Sequence, residues 1–311
     1  MTTAKLAAEH SALSTRAALA SVALALVLLI AKAWAAYLTD STAMLGSLAD
    51  TALDVIASLT TLVGVRIAAA PADHDHRFGH GKAEALVALA QVALIGVSAV
   101  GIAWRAIDRL INGVETAALD VGIAVSLFAI AATFVLLWYQ RRVIARTGSV
   151  AIKTDNVHYK SDLLLNGSVI VALVLDQTFH IRGADAAFGI GIALWLVWGA
   201  YRASNEAIHQ LMDREWPEAE RQEFLDAAAE HDELRGLHDL RTRKSGTVRF
   251  VQFHVWVPAG WTVRKAHDRL DAVEEALQAR FPGTEILIHV DPEGQTDRET
   301  LLSSDLTESA K

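Results

Sequence analysis

Six apolar runs dominate the first two thirds of the chain, at about residues 17–39, 42–68, 83–107, 118–139, 157–179 and 185–204. A helix that crosses roughly 30 Å of hydrocarbon needs about 20 such residues, so the pattern predicts six transmembrane helices. The first run is read as a helix and not as a cleaved leader. About 16 residues precede it, and no A-x-A-type site followed by a polar domain appears.

Beyond Arg202 the long runs stop. The pattern there predicts a membrane domain over residues 1–213, a small soluble domain over 214–292 and a disordered tail over 293–311, where apolar periodicity is missing. Within the soluble domain, Glu218 to His231 reads as a helix with Pro217 at its start. Leu237 to Arg243 and Val248 to Val257 read as strands on either side of Ser245-Gly246, a hairpin signal. Val251, Phe253, Val255 and Val257 recur with period two, while Val263, Ala266, Leu270, Val273, Leu277 and Phe281 make a helical stripe. Pro282-Gly283 ends that helix, and Glu285 to Asp291 alternates as a last strand. The expected order is αββαβ.

Composition sharpens this picture. Fifty-two per cent of the 311 residues are hydrophobic and the mean hydropathy is +0.29, so membrane insertion is the default reading. Lys5, Arg16, Arg66, Arg77, Lys82, Arg141, Arg142, Arg146 and Lys153 fall at the N-terminus and in the second and fourth connections. The alternate connections carry chiefly Arg109 and Arg182 with Asp40, Glu115, Asp120 and Asp185. By the positive-inside bias both termini are expected in the cytoplasm. The net charge of −8, largely from the C-terminal third, argues against a nucleic-acid partner. The chain has no cysteine, which excludes disulfides, thiolate nucleophiles and thiolate metal sites together. Metal chemistry must use imidazole and carboxylate.

Three groups of residues carry candidate chemistry. Asp50 and Asp54 lie in the second apolar run, and His158 and Asp162 at the mouth of the fifth. A spacing of four stacks two side chains on one helical face, so two such helices could close four ligands around one ion. A carboxylate at mid-bilayer costs on the order of 2.5 to 3.5 kcal/mol, so a resident partner is expected, and a divalent cation suits. Three carboxylates and an imidazole fit Zn²⁺, Fe²⁺, Mn²⁺, Co²⁺ or Cd²⁺ better than Cu⁺. The bland alternative is a wet cavity or a capping histidine. Ser47 and Asn166 share these faces as candidate supporting partners. The second group is the loop from Pro71 to Lys82, where Asp73, His74, Asp75, His76 and His80 could ligate metal or simply line a solvated charged loop. The third is His238, His254, His267, His289 and Asp291 in the soluble domain. His289 and Asp291 share a strand face there, but surface histidines are common and convergence must be seen.

The strings Ser47-Leu48-Ala49-Asp50-Thr51-Ala52-Leu53-Asp54, Pro71-Ala72-Asp73 through Phe78-Gly79-His80-Gly81-Lys82-Ala83-Glu84 and His158-Tyr159-Lys160-Ser161-Asp162 resemble the cation diffusion facilitator family, which includes bacterial zinc and ferrous-iron efflux pumps. The likeness continues through His238 to Arg243, Val251 to His254, Phe281-Pro282-Gly283 and Ile288 to Pro292, so it spans roughly residues 15–292. It implies a homodimeric metal:proton antiporter of the bacterial inner membrane, with six membrane helices and a cytoplasmic metallochaperone-like domain. It further implies a transport site at Asp50, Asp54, His158 and Asp162, a loop site at Asp73, His76 and His80, and a binuclear cytoplasmic site at His238, His254, His267, His289 and Asp291. Lys82 is implied to pair with Asp213 as an interlock. His74 and Asp75 depart from the family pattern in the loop. Zn²⁺, Fe²⁺, Cd²⁺ or Mn²⁺ would be both cargo and regulatory ligand. A membrane-anchored metal sensor is the alternative; an enzyme is disfavoured, because no H-E-x-x-H, G-x-S-x-G or P-loop string occurs.

Overall fold

The computed structural model describes residues 3–39, 42–112, 120–179 and 184–294. They form two compact units, His10–Ile208 and a second that holds the chain from His209 onward together with the first turns of the first helix. The expected tail over 293–311 lies almost wholly outside the described residues.

The first unit is helical. The six helices are α1 (Thr3–Thr39), α2 (Thr42–Ala68), α3 (Ala83–Asn112), α4 (Asp120–Thr147), α5 (Val150–Phe179) and α6 (Ala184–Leu211). At 1.5 Å per residue even α2 is about 40 Å long, enough to cross a bilayer. Among the described residues, all except α5 contain a span long and apolar enough to cross a membrane. α5 is polar through its first turns, from Lys153 to Asp162. Several helices run past the limits that hydropathy sets, because an amphipathic turn outside the hydrocarbon is still a helix. α1 differs most, expected from residue 17 and found from Thr3; α5, expected from residue 157, is found from Val150. Its start is fixed locally. Gly148 takes φ +64° and its amide donates to the Ile144 carbonyl at 2.8 Å, ending α4. The Ser149 hydroxyl then caps α5 by accepting from the Ile152 amide at 3.3 Å, and donates to the buried Glu84 carboxylate at 2.7 Å. His158 and Asp162, at the mouth of the apolar run, therefore lie two to three turns inside the helix.

The bundle packs with small residues inside and large ones outside. Ala17, Ala18, Ala25, Ala57, Ala88, Ala99, Ala151 and Ala207 are buried, whereas Ile30, Trp34, Val97, Trp104, Phe134 and Leu194 are exposed. That is the pattern expected where lipid is the solvent: van der Waals contact between close backbones holds the helices, and bulky apolar side chains face the acyl chains. A β-carbon on Gly64 would lie 2.2 Å from a Val87 methyl, a measure of how near α2 and α3 approach.

A buried polar knot ties five of these helices. Asp155 of α5 accepts from Ser21 of α1 at 2.7 Å, Gln140 of α4 at 2.8 Å, Gln91 of α3 at 3.3 Å and Thr61 of α2 at 3.4 Å. Asn156 donates to Gln140 at 2.9 Å, holding the amide that serves Asp155. In hydrocarbon each donor left without an acceptor carries its full desolvation cost.

The second unit follows the expected αββαβ order: α7 (Glu218–Ala228), a short 3₁₀ turn (Asp232–Leu234), β1 (His238–Ser245), β2 (Val248–Val257), α8 (Val263–Arg280) and β3 (Thr284–Pro292). α7 ends three residues earlier than expected, where the chain tightens into the 3₁₀ turn. The sheet order is β1-β2-β3, with β1 antiparallel and β3 parallel to β2; α8 makes the crossover a parallel pair requires. One sheet face is the core: Val251, Phe253, Val255 and Ile286 pack with Leu270, Val273 and Leu277 of α8 and with Phe224 of α7. Phe224 is fully buried among the rings of Trp216, Phe253 and Phe281. The opposite face is left free for polar chemistry.

Asp155→Leu is expected to lower stability by about 2 to 5 kcal/mol, since it strands several buried donors. Asp155→Asn keeps one acceptor oxygen and should cost less. Thermal unfolding of the detergent-solubilised variants checks the order.

Candidate metal centres

Within the bundle, α2 and α5 bring Asp54, His158 and Asp162 together. His158 Nε2 lies 3.0 Å from Asp54 Oδ1 and 3.8 Å from Asp162 Oδ2, and one ligand atom from each residue falls within 4.8 Å of the others. All three are mostly withdrawn from solvent. The orientation of α5 is set next door: the Tyr159 hydroxyl donates to the Ser21 carbonyl at 2.9 Å and meets the Ser58 hydroxyl at 2.8 Å. Both contacts lock the face that carries His158. Asp50, one turn before Asp54, is turned elsewhere. Its carboxylate takes a two-pronged ion pair from Arg105 of α3, at 2.8 and 2.9 Å. Asn166 donates to the main-chain carbonyl of Asp162 at 2.7 Å, and Ser47 offers its carbonyl to Thr51; these bonds run to the helix backbone rather than to the carboxylates.

In the loop between α2 and α3, three of the five candidate ligands converge: Asp73, His76 and His80. Asp73 Oδ1 accepts the amides of His76 at 2.7 Å and Asp75 at 3.0 Å, a turn that aspartate forms readily. The His76 amide is the main cause that holds the Asp73 carboxyl below the usual carboxylate range. His80 Nε2 sits 3.3 Å from Asp73 Oδ2, and His76 Nδ1 3.4 Å from Oδ1. The other ring nitrogen of His80 meets the Pro71 carbonyl at 3.2 Å, the arrangement that fixes a ligating tautomer. His74 instead lies beside Arg77.

On the free face of the sheet, strand register does the assembling. His238 of β1 is paired with His254 of β2, and His254 with His289 of β3. Asp291, two residues past His289 on the same face, reaches in: its Oδ2 is 3.0 Å from His254 Nδ1 and 3.2 Å from His238 Nε2, and its Oδ1 is 3.5 Å from His289 Nε2. His238 Nδ1 donates to the Gly236 carbonyl at 2.8 Å, which leaves Nε2 as the lone-pair nitrogen. That Nε2 is buried and makes no hydrogen bond, which is the donor set a bound cation would complete. Gly236, at φ +75°, permits the approach of Trp256, whose ring lies 5.0 Å from that of His238, tilted by 40°. His267 does not join this group within one chain. It lies on α8 in a groove with Asp271, Glu274 and Ile288.

Lys82 precedes α3 and Asp213 follows α6, in separate units; Asp213 has φ +54° and lies 3.5 Å from Arg243. Sequence reasoning overlooked four residues. Arg105 was hidden by the hydropathy of α3, although a lone arginine inside an apolar span is itself a signal. Asp155 and Tyr159 flank His158 at positions that read as ordinary helix. Asp239, at φ +48° where β1 bulges, stands 3.7 Å from His254 and is held by Arg241 at 2.7 Å.

The profile of the cation efflux transmembrane domain matches residues 18–212, and that of the cation efflux protein cytoplasmic domain matches residues 216–293. The chain belongs to the cation efflux family. The cation-efflux pump FieF of Cronobacter sakazakii is 42% identical over 284 residues, 91% of this chain and 94% of that protein. Those of Salmonella arizonae and Salmonella typhimurium are each 41% identical over 290 residues, covering 93% of this chain and 96% of theirs. The resemblance read from the Ser47–Asp54, Pro71–Glu84 and His158–Asp162 strings thus holds. As a cation efflux protein the chain is a multi-pass membrane protein of a metal-exporting family, built as a helix bundle followed by an αββαβ domain.

With Zn²⁺ as the probe of whether the His238, His254 and Asp291 group holds a cation, Asp239→Ala, which removes a nearby carboxylate, is expected to weaken any binding by about tenfold while leaving the fold intact. Competition with a chromophoric chelator on the purified protein checks it.

Proposed function

We propose that this chain exports a divalent first-row or group-twelve cation, Zn²⁺ foremost with Fe²⁺, Cd²⁺ and Mn²⁺ as alternatives, from the cytoplasm in exchange for protons. The convergence of Asp54, His158 and Asp162 inside the bundle carries this reading. A sensor anchored in the membrane has no use for two carboxylates and an imidazole gathered inside a helix bundle, and no H-E-x-x-H, G-x-S-x-G or P-loop string accompanies them. In the full transport site Asp50 turns from Arg105 to join the three as a fourth ligand. Oxygen and imidazole donors suit the cations named and do not by themselves choose among them.

Coupling follows from competition for the same atoms. Carboxylates and imidazole ligate metal only when deprotonated, so a metal ion that enters from the cytoplasm displaces protons, and protons that arrive from outside displace metal. If rocking of the helices exposes the site to one side at a time, an inward proton gradient drives the cation out.

The remaining centres serve regulation and assembly in this reading. The domain after α6 is cytoplasmic, both termini lie on that side, and two copies form the working unit in the bacterial inner membrane. His267, which faces away from its own chain's cluster, would complete the binuclear site of a second copy. Metal bound there stabilises the dimer arrangement that gathers the ligands, by an amount set by metal concentration relative to affinity. The loop site at Asp73, His76 and His80 gathers cation at the membrane face, and Lys82 with Asp213 interlocks bundle and domain.

Asp54→Ala is expected to abolish metal-driven proton flux in proteoliposomes while the protein remains folded; flux at the wild-type rate would refute the assignment. Replacing His238, His254 and Asp291 together should flatten the dependence of transport rate on cytoplasmic metal while leaving flux at saturating metal. Vesicles that hold only this protein distinguish a transporter from a sensor by whether Zn²⁺ crosses at all.

A further inference from the structure

We propose that Arg105 is a resident cation that competes with the transported metal for Asp50. The inference rests on the reading of Asp50 as a transport ligand. Asp50 and Asp54 stand one helical turn apart on α2, yet only Asp54 meets His158 and Asp162. Asp50 is held by both prongs of the Arg105 guanidinium, at 2.8 and 2.9 Å, a geometry that a carboxylate fits well and that lysine cannot copy. Arg105 lies within the apolar span of α3, Ala83–Asp108, where an arginine is rare and is functional by default. One residue on, the Thr51 hydroxyl accepts from the Lys32 ammonium of α1 at 2.7 Å, so a second cationic group stands close by. Positive charge is built in beside the ligands.

The consequence is an exchange of partners. With Asp50 on Arg105 the site offers three ligands. A divalent ion that draws Asp50 over must break the forked pair and approach a guanidinium, so it binds less tightly than four bare ligands would allow. In the reverse direction Arg105 recaptures Asp50 and strips one ligand from the metal. Arg105 sits toward the ends of α2 and α3 that face away from the loop of Asp73 to His80, since Asp50 is near the start of α2 and Arg105 near the end of α3. On the orientation that charge distribution gives, that is the side of release. Tight capture is exchanged for quick departure.

The test uses the full-length protein in nanodiscs, with Zn²⁺ affinity measured by chelator competition and the membrane site taken as the component lost in Asp54→Ala. Arg105→Met should tighten that component about tenfold, and zinc flux in proteoliposomes should show a lower KM together with a lower kcat. Asp50→Asn should weaken binding, and Arg105→Met added to Asp50→Asn should have no further effect. If Arg105→Met weakens Zn²⁺ binding or leaves it unchanged while Asp50→Asn weakens it, the pair is merely structural and the proposal fails, with the four-ligand reading intact. If Asp50→Asn leaves the affinity unchanged, Asp50 is no ligand, and that reading and the proposal fall together. Should Arg105→Met not fold, Arg105→Gln, which removes the charge and keeps a hydrogen bond to Asp50, carries the same comparison.

Discussion

An imidazole pinned between two carboxylates inside a helix bundle is the constraint around which this protein is arranged. His158 between Asp54 and Asp162 cannot be left to float, because in a low-dielectric interior an ionic side chain is tolerated only against a partner of fixed geometry. Everything close by serves that fixity. Ser149 and Gly148 set where α5 begins, Tyr159 sets how it is turned, and Asp155 gathers donors from four other helices a single turn away. The cluster therefore sits on a rigid shaft and not on a loop. Asp50, by contrast, pairs with Arg105 and not with the cluster.

The polar knot at Asp155 and the alanine-lined helix interfaces do different kinds of work. Small residues let helix backbones lie close and meet along much of their length. A carboxylate that collects four directed hydrogen bonds has registry at one depth only. Transport of the kind proposed would need helices that keep their alignment, and directed contacts provide it: the knot at Asp155, the Tyr159 hydroxyl on Ser21 and Ser58, and the Ser149 hydroxyl on Glu84.

Much of this was legible in the order of residues. Hydropathy found the six helices of the bundle, five of which carry, among the described residues, a span apolar enough to cross a bilayer. Period-two alternation found β2 because Val251, Phe253, Val255 and Val257 face a core on one side only. Helix ends were less legible. Hydropathy reports where hydrocarbon stops, while α4 and α5 stop where Gly148 and Ser149 provide caps. The Asp54, His158 and Asp162 grouping followed from i, i+4 spacing on two helices, but the same spacing put Asp50 in the group, and spacing carries no information about a competitor on a third helix. Nor could the loop ligands be sorted from composition. Asp73 is chosen because its carboxylate folds the turn that presents His76, and His74 is left out because it points toward Arg77.

The parallel pairing of β2 and β3 has a bearing on how the sheet centre can change over time. His254 and His289 are neighbours only because Phe253 and Ile288, on the other side of the same strands, are matched too. The greasy side of the sheet is in effect a ruler for the wet side. A slip of β3 by one residue would turn His289 and Asp291 inward together and dismantle the site, so single-step drift in alignment is forbidden. Affinity can still be tuned in small increments from behind, by substitutions at Ile286, Ile288 or Leu277 that tilt the strands by tenths of an ångström and never touch a ligand. The geometry of the polar face is thus set by the oily residues behind it as much as by the histidines on it.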